Sequence, residues 1–364
     1  MLERRATPKV SIVMSVYNGE HYLREAVESI LNQSFRDFEF IIINDGSTDR
    51  TPEILHSFDD DRIVLVENPH RLGLAQSLNK GLRIARGQYI ARMDADDISY
   101  PMRLALEVQF LDAHPGIALI GTAYASENQT TGKIRVRRPP GTGLKIRELL
   151  CENTKFCHGS VMARRECLLS IGGYRPEFPV SQDYDLFVRV AEAYEMANLE
   201  EVLYQRHEHP YTTSSSRSTE QSQYRNLGRE LALERARSGV DRFGYPFGGH
   251  SKSTAAGSRR AGTRQRFFWG KWLYDNGRFL QGFALMLHCA RHSGQDRWMW
   301  RMLVWDQLLW GIPRYLFGLR NLRRRWHRFE SFLIVTLPPK WVAVLRAVKY
   351  KVLRRQAGLS GLEQ

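Results

Sequence analysis

Residues 8–49 read PKVSIVMSVYNGEHYLREAVESILNQSFRDFEFIIINDGSTD, and two strand-to-helix passages are visible in them. Val10–Val16 is an apolar, β-branched run that stops at Tyr17-Asn18-Gly19, the pattern of a buried strand entering a turn. Tyr22, Leu23, Ala26, Ile30 and Leu31 then recur at helical spacing. A second buried-strand pattern at Phe38–Ile43 ends in Asn44-Asp45-Gly46-Ser47-Thr48-Asp49. Those turn and N-cap residues open a helix around Thr51–Phe58.

The same alternation continues outward, with a strand at Ile63–Glu67, a helix around Leu74–Ala85 and a strand at Tyr89–Met93. Three successive βα units predict an α/β fold with a mostly parallel sheet and helices on both faces. Ligand-binding loops then belong at the C-terminal ends of the strands. Further on come a helix at Arg103–Ala113 and strand-like segments at Ile117–Ala123 and Ser160–Ala163. Thr212–Ser218 is rich in Ser and Thr, and Gly239–Gly262 holds little apolar content. These shifts divide the chain into a catalytic unit over 1–215, a connector over 216–263 and an all-helical appendage over 264–364.

A length of 364 residues suits two units, and 43% hydrophobic with 25% charged residues suits a globular fold. The formal charge of +14 implies an anionic partner: nucleic acid, a phosphorylated substrate or an anionic membrane surface. Cys151, Cys157, Cys167 and Cys289 lack both zinc-site spacing and disulfide density, so they read as thiols in a reducing compartment, the cytoplasm. No signal peptide and no uninterrupted apolar run of spanning length is expected.

The chemistry concentrates at Met93-Asp94-Ala95-Asp96-Asp97, three carboxylates directly after a strand. Like charges crowded there call for a cation, and a hard divalent ion takes one or two carboxylates plus substrate phosphates. A solvated acidic turn capping the next helix is the other reading. Asp45 offers acceptors to a base or ribose, or else caps a turn. Arg71 offers a guanidinium to stack on a base or pair with phosphate, or else is surface charge.

Taken together, the stretch from Pro8 to Thr51 and the stretch NPHRLGLAQSLNKGLRIARGQYIARMDADD from Asn68 to Asp97 strongly resemble family 2 glycosyltransferases of the GT-A fold. The resemblance extends to about residue 210 through His158-Gly159-Ser160-Val161-Met162, Ile171-Gly172-Gly173-Tyr174 and Gln182-Asp183-Tyr184-Asp185-Leu186. It implies inverting transfer of a sugar from a nucleotide-sugar, a UDP-sugar above all, in the making of a bacterial surface polysaccharide or lipid-linked glycan. Ser15, Val16, Tyr17 and Asn18 would then lie along the nucleotide, Asp45 and Arg71 would contact uracil or ribose, and Asp94 with Ala95 would approach the ribose. Asp96 would be the principal ligand of Mn²⁺ or Mg²⁺, supported by Asp97.

Asp183 matches the family's catalytic base. Gln182 stands where a glutamate is usual, which removes a charge beside it. His158 and His207 fall at the family's histidine positions, as acceptor, phosphate or metal contacts, with Arg206 near the second. The Gln-x-x-Arg-Trp element of processive members is missing, since Gln295-Asp296-Arg297-Trp298 is one residue short, so single-sugar transfer is implied. The acceptor is expected to be a glycan or a lipid-linked glycan.

The appendage mixes Trp, Phe, Leu and Arg, as in Arg297-Trp298-Met299-Trp300-Arg301 and Arg320–Arg328. That composition suits either a helical core or peripheral binding to an anionic leaflet, and Arg323–Arg355 reads as membrane-facing. Two other functions remain to compare. A nucleotidyltransferase would show a Gly-rich basic loop where this chain has Val16-Tyr17-Asn18-Gly19, and a nucleic-acid-binding protein would not place acidic clusters at strand ends.

Overall fold

The computed structural model describes residues 7–303, apart from 142, 155, 210–216, 250–255 and 293–295. Strand β1 (Val10–Val16) pairs in parallel with β2 (Phe38–Asn44) and β4 (Tyr89–Met93), and β2 pairs in parallel with β3 (Ile63–Glu67). Helices α1 (Leu23–Leu31), α2 (Thr51–His56) and α3 (Leu74–Ile84) make the crossovers. The mainly apolar runs of β1, β2 and β4 follow from burial on both faces, whereas β3, at the end of the strand order, is only half-buried. Val10, Ile12 and Met14 of β1 enter the core beneath α1 and α4 (Arg103–Ala113), whereas Val13 enters the core beneath α3.

Beyond β4 the sheet becomes mixed. It gains β5 (Ile98–Ser99), β6 (Ile117–Asn128), β7 (Lys133–Arg137), β8 (Met162–Arg164) and β9 (Glu195–Glu208). The strand order is β3-β2-β1-β4-β8-β6-β9-β5, with β7 hydrogen-bonded to β6. Strand β8 runs antiparallel to β4 and β6, and β9 runs parallel to β6. Helices α5 (Leu144–Leu150), α6 (Arg165–Ser170) and α7 (Gln182–Ala193) close the second face.

The stretch taken from sequence as a connector differs from that expectation, because it contains α8 (Ser218–Ser238), 21 residues long. Its buried side is made of Gly228, Leu231, Ala232, Leu233, Arg235 and Ala236, too few large apolar residues to give a helical period. Helix α9 (Ala256–Asp275) packs on α7 and α5, followed by α10 (Phe279–His292) and the short α11 (Arg297–Met302). Phe268 and Trp269 share a cluster with Tyr184 and Val188 of α7, and Phe283 is fully buried. This part of the helical region is therefore packed core. Arg320–Arg328 and the rest of Arg323–Arg355 lie outside the described residues. No described helix is long and apolar enough to cross a membrane, and all four cysteines are buried free thiols.

A buried ion network joins α7 to its neighbours. Asp185 accepts from Arg189 at 2.8 Å and lies 3.4 Å from Arg175; Arg235 of α8 holds Glu192 at 2.8 Å and Asp241 at 2.6 Å. Removing one member of such a network strands a buried charge. Arg235→Ala is expected to lower unfolding free energy by about 3–5 kcal/mol. Urea unfolding reads this directly, and a loss below about 1 kcal/mol, the size of a surface pair, would show that the network does not tie α8 to α7.

Candidate active site

A cleft of about 840 Å³ opens at the strand ends and brings together Arg71, Asp94, Asp96, Asp97, Gln182 and Asp183. His158, Arg206 and His207 also line it. Ser15, Val16, Tyr17, Asn18, Asp45 and Ala95 flank this cleft in sequence without lining it. The only two non-glycine residues with positive φ among those described are Asn18 (φ 52°) and Ser181 (φ 56°). Both sit at turns entering the site, where stored backbone strain is commonly found.

At the end of β1, Asn18 is built into the next turn: its amide donates to Ser47 Oγ at 3.0 Å, and its Oδ1 accepts from the Thr48 amide at 2.9 Å. The Val16 carbonyl accepts from the Asp45 amide at 2.8 Å. Ser15 is half-buried beside it, and the exposed Tyr17 ring carries the Arg71 guanidinium 4.1 Å from its centroid. Gly46 (φ 71°) lets the 68–73 loop approach this turn, since a Cβ there would stand 2.7 Å from the His70 carbonyl carbon.

Asp45 is tied into the loop after β3. Its carboxylate accepts from Asn68 Nδ2 (2.8 Å), the Leu72 amide (2.8 Å), the Gly73 amide (2.9 Å) and Ser77 Oγ (2.9 Å). Three of these bonds fall on Oδ1 and one on Oδ2, so Oδ2 keeps acceptor capacity. Asp45 therefore shapes the loop that presents Arg71, the turn-building alternative left open by the sequence.

The three acidic residues after β4 have different circumstances. Asp94 is ion-paired to Arg92 at 2.6 Å. Burial pushes its carboxyl up, but Arg92, His158, Arg206 and Arg103 together hold it below its ordinary value. Ala95, between the carboxylates, is half-buried against the core of β1 and α1. Asp97 is buried and accepts from the His207 amide at 2.9 Å. Burial, reinforced by Asp96 and Asp94, pushes its carboxyl well above the usual range. Asp96 alone leaves its side chain substantially open, at 38% exposure, and its Oδ2 lies 3.3 Å from His209 Nε2.

His207 lines the cleft with its ring nitrogens turned to neighbouring protein atoms. Its Nδ1 faces the Asp96 carbonyl at 2.7 Å and its Nε2 faces Gln205 Nε2 at 3.1 Å. The imidazole beside the Asp96 carboxylate belongs to His209, stacked on Tyr22 at 4.9 Å between centroids. Sequence reasoning passed over His209, although its two-residue spacing from His207 along a strand was the available signal.

His158 sits in a 3₁₀ turn, His158–Ser160, with Nε2 2.8 Å from the Tyr174 hydroxyl. Burial and the Arg92 charge push its imidazole below the ordinary histidine range, against the pull of Asp94 and Asp183. The next residue, Gly159, leaves room for the site: a Cβ would come 2.0 Å from Tyr204 Oη and 2.7 Å from Asp94 Oδ2. Gly159→Ala must therefore displace Tyr204 or Asp94. It is expected to lower stability by about 1–3 kcal/mol and to weaken nucleotide binding, as read by thermal unfolding and nucleotide titration. Wild-type behaviour in both would show that the turn yields freely.

Asp183 stands in the first turn of α7, where the helix dipole favours an anion. Every other residue of that 12-residue helix is buried, and no described residue hydrogen-bonds the Asp183 carboxylate. Gln182 before it is buried and lines the cleft.

The sequence from 11 to 171 matches the model of glycosyl transferase family 2. The chain is 38% identical over 205 residues to the putative glycosyltransferase EpsE of Bacillus subtilis, spanning 54% of this chain and 72% of that protein. The chain belongs to glycosyltransferase family 2. This glycosyltransferase is also 30% identical over 198 residues to the amylovoran biosynthesis glycosyltransferase AmsE of Erwinia amylovora, covering 53% of the chain and 74% of the relative. Its fold resembles that of Staphylococcus aureus TarS 1–349 in complex with UDP-GlcNAc, with a TM-score of 0.52 and 17% identity over 82% of this chain and 92% of the other. The mixed sheet with helices on both faces is thus the GT-A arrangement.

Proposed function

We propose that this family 2 glycosyltransferase transfers one sugar from a UDP-sugar to an acceptor hydroxyl with inversion, in the building of a surface polysaccharide or lipid-linked glycan. The observation that carries the reading is the isolation of Asp183: the sole unburied residue of α7 opens into the same cleft as Asp96. A base has to reach substrate, and a helix otherwise buried along its length fixes where that carboxylate stands. The amylovoran relative supports a role in polysaccharide synthesis, and the TarS complex supports a UDP-linked donor.

The donor would lie along Ser15–Asn18 and the Arg71 loop, with Asp94 and Ala95 toward the ribose and Asp45 acting through the loop it anchors. Asp183 would accept the acceptor's hydroxyl proton while that oxygen bonds to the anomeric carbon and the bond to the diphosphate breaks. His158 and Gln182 would border the sugar.

The residues present fit a divalent cation such as Mn²⁺ or Mg²⁺. Asp96 presents an open carboxylate, with the His209 imidazole beside it, and carboxylate oxygen suits Mn²⁺ or Mg²⁺. Among the described residues no group of three or more His, Cys, Asp or Glu side chains is placed to hold a metal; donor phosphates would supply the remaining ligands. Asp97 and His207 would support Asp96 from behind through their own hydrogen bond. Bound there, the cation would neutralise charge on the departing diphosphate.

Hydrolysis of a panel of UDP- and GDP-sugars, with and without Mn²⁺, tests the reading. Turnover of a UDP-sugar that needs the metal is expected. Turnover confined to GDP-sugars would overturn the donor assignment, and equal rates in chelator would overturn the metal.

A further inference from the structure

We propose that the cleft selects an acceptor carrying a phosphate group, read by Arg217 and Arg225 of the α8 segment with Arg137 and Arg138 at the end of β7; this rests on the transferase reading above. Six arginines line the cleft against four aspartates. One donor diphosphate accounts for the charge around Arg71 and Asp96. It leaves Arg137, Arg138 and Arg225, which line the same cleft as Asp183, without an ion pair to a described carboxylate, and Arg217 paired only with Glu220.

Their placement is specific. Arg217, Gln221 and Arg225 stand at intervals of four and all line the cleft, so they form one stripe of the helix. Ser181 Oγ donates to the Gln221 carbonyl at 3.1 Å, which fastens this stripe to the turn that presents Asp183. The next arginine in the series, Arg229, gives its guanidinium to the Cys151 and Glu152 carbonyls and so serves the fold. Arg225 instead donates to Ser222 Oγ at 2.8 Å, and Arg217 is paired with Glu220 within its own helical turn at 2.6 Å. Arg137 and Arg138 reach the same cleft from β7, exposed and without an ion pair to a described carboxylate.

Guanidinium forks match phosphate oxygens in pairs, and arginines gathered on part of a cleft wall raise the local concentration of anionic groups. The acceptor hydroxyl that meets Asp183 would then be positioned by a phosphate elsewhere on the same molecule. Two sources share that chemistry: the diphosphate of a lipid carrier and a phosphoester within a glycan.

Binding to the full chain saturated with UDP and Mn²⁺ tests this, with glucose 1-phosphate, a short prenyl diphosphate in detergent, glucuronic acid and glucose as probes. The phosphate probes are expected to bind and glucose not. The double variant R217Q/R225Q should lose about 10–100-fold in affinity for them, the range for charge-assisted hydrogen bonds, with UDP affinity unchanged. Arg225→Lys should recover part of the loss. Tighter binding of the prenyl diphosphate supports the proposal with a lipid carrier as source, and tighter binding of glucose 1-phosphate supports it with a glycan phosphoester. Undiminished phosphate binding in the folded double variant, or glucuronic acid binding as tightly as the phosphates, would overturn it. Failure of UDP itself to bind sinks the transferase reading first, which separates the two.

Discussion

Asp183→Asn is expected to bind UDP as the wild type does and to transfer sugar ~10²–10⁴-fold more slowly, the range for removing a positioned general base. The substitution keeps the size and shape of the side chain, so α7 has no reason to move. Its neighbours hold it independently: Tyr184 donates to the Leu150 carbonyl at 2.9 Å, and Asp185 is fixed by Arg189 at 2.8 Å. What changes is that an amide cannot take the acceptor's proton. The loss should fall on kcat with acceptor present, while the affinity for UDP stays in place. A variant whose UDP affinity and transfer rate fell in proportion would make Asp183 a structural residue and leave the site without its base.

The first four strands were legible because β1, β2 and β4 are buried almost throughout and are written as mainly apolar runs, and the half-buried edge strand β3 keeps a short apolar run, with Asn18, Asp45 and the Asp94–Asp97 cluster marking the turns. Strand β9 was not, since Glu195–Glu208 mixes Met196, Ala197 and Leu203 with Glu200, Glu201 and Gln205 and keeps no clean alternation. Helix α8 was hidden for a related reason. Its inward side relies on small residues and on Arg235, which reads as surface until the buried Glu192 and Asp241 are seen to meet it. Asp183 was recognisable from its motif. Its isolation was not, because Asp185, Arg189 and Glu192 on the same helix look like solvent-facing charges and are in fact buried. Asp45 and His207 show the converse limit, in that sequence can place a polar group at a site without showing which protein groups bond to it there.

Asp96→Ala should abolish the Mn²⁺ dependence of UDP binding and lower turnover by about 10³-fold or more, equivalent to the several kcal/mol a metal supplies to a departing charged group. Neither neighbouring carboxylate can replace it. Asp94 is committed to Arg92 at 2.6 Å, and reorienting it would strand a guanidinium that is 4% exposed. Asp97 is buried and bound to the His207 amide at 2.9 Å, so turning it to take Asp96's place would break that bond. His209→Ala should act in the same direction with a smaller effect, since it removes one nitrogen and leaves the open carboxylate. Calorimetric titration of UDP with and without Mn²⁺, on the wild type and both variants, reads these differences apart from catalysis. Should folded Asp96→Ala protein bind UDP with the same enhancement by Mn²⁺, the cation would have to sit elsewhere, and the open carboxylate at the mouth of the cleft would need another role.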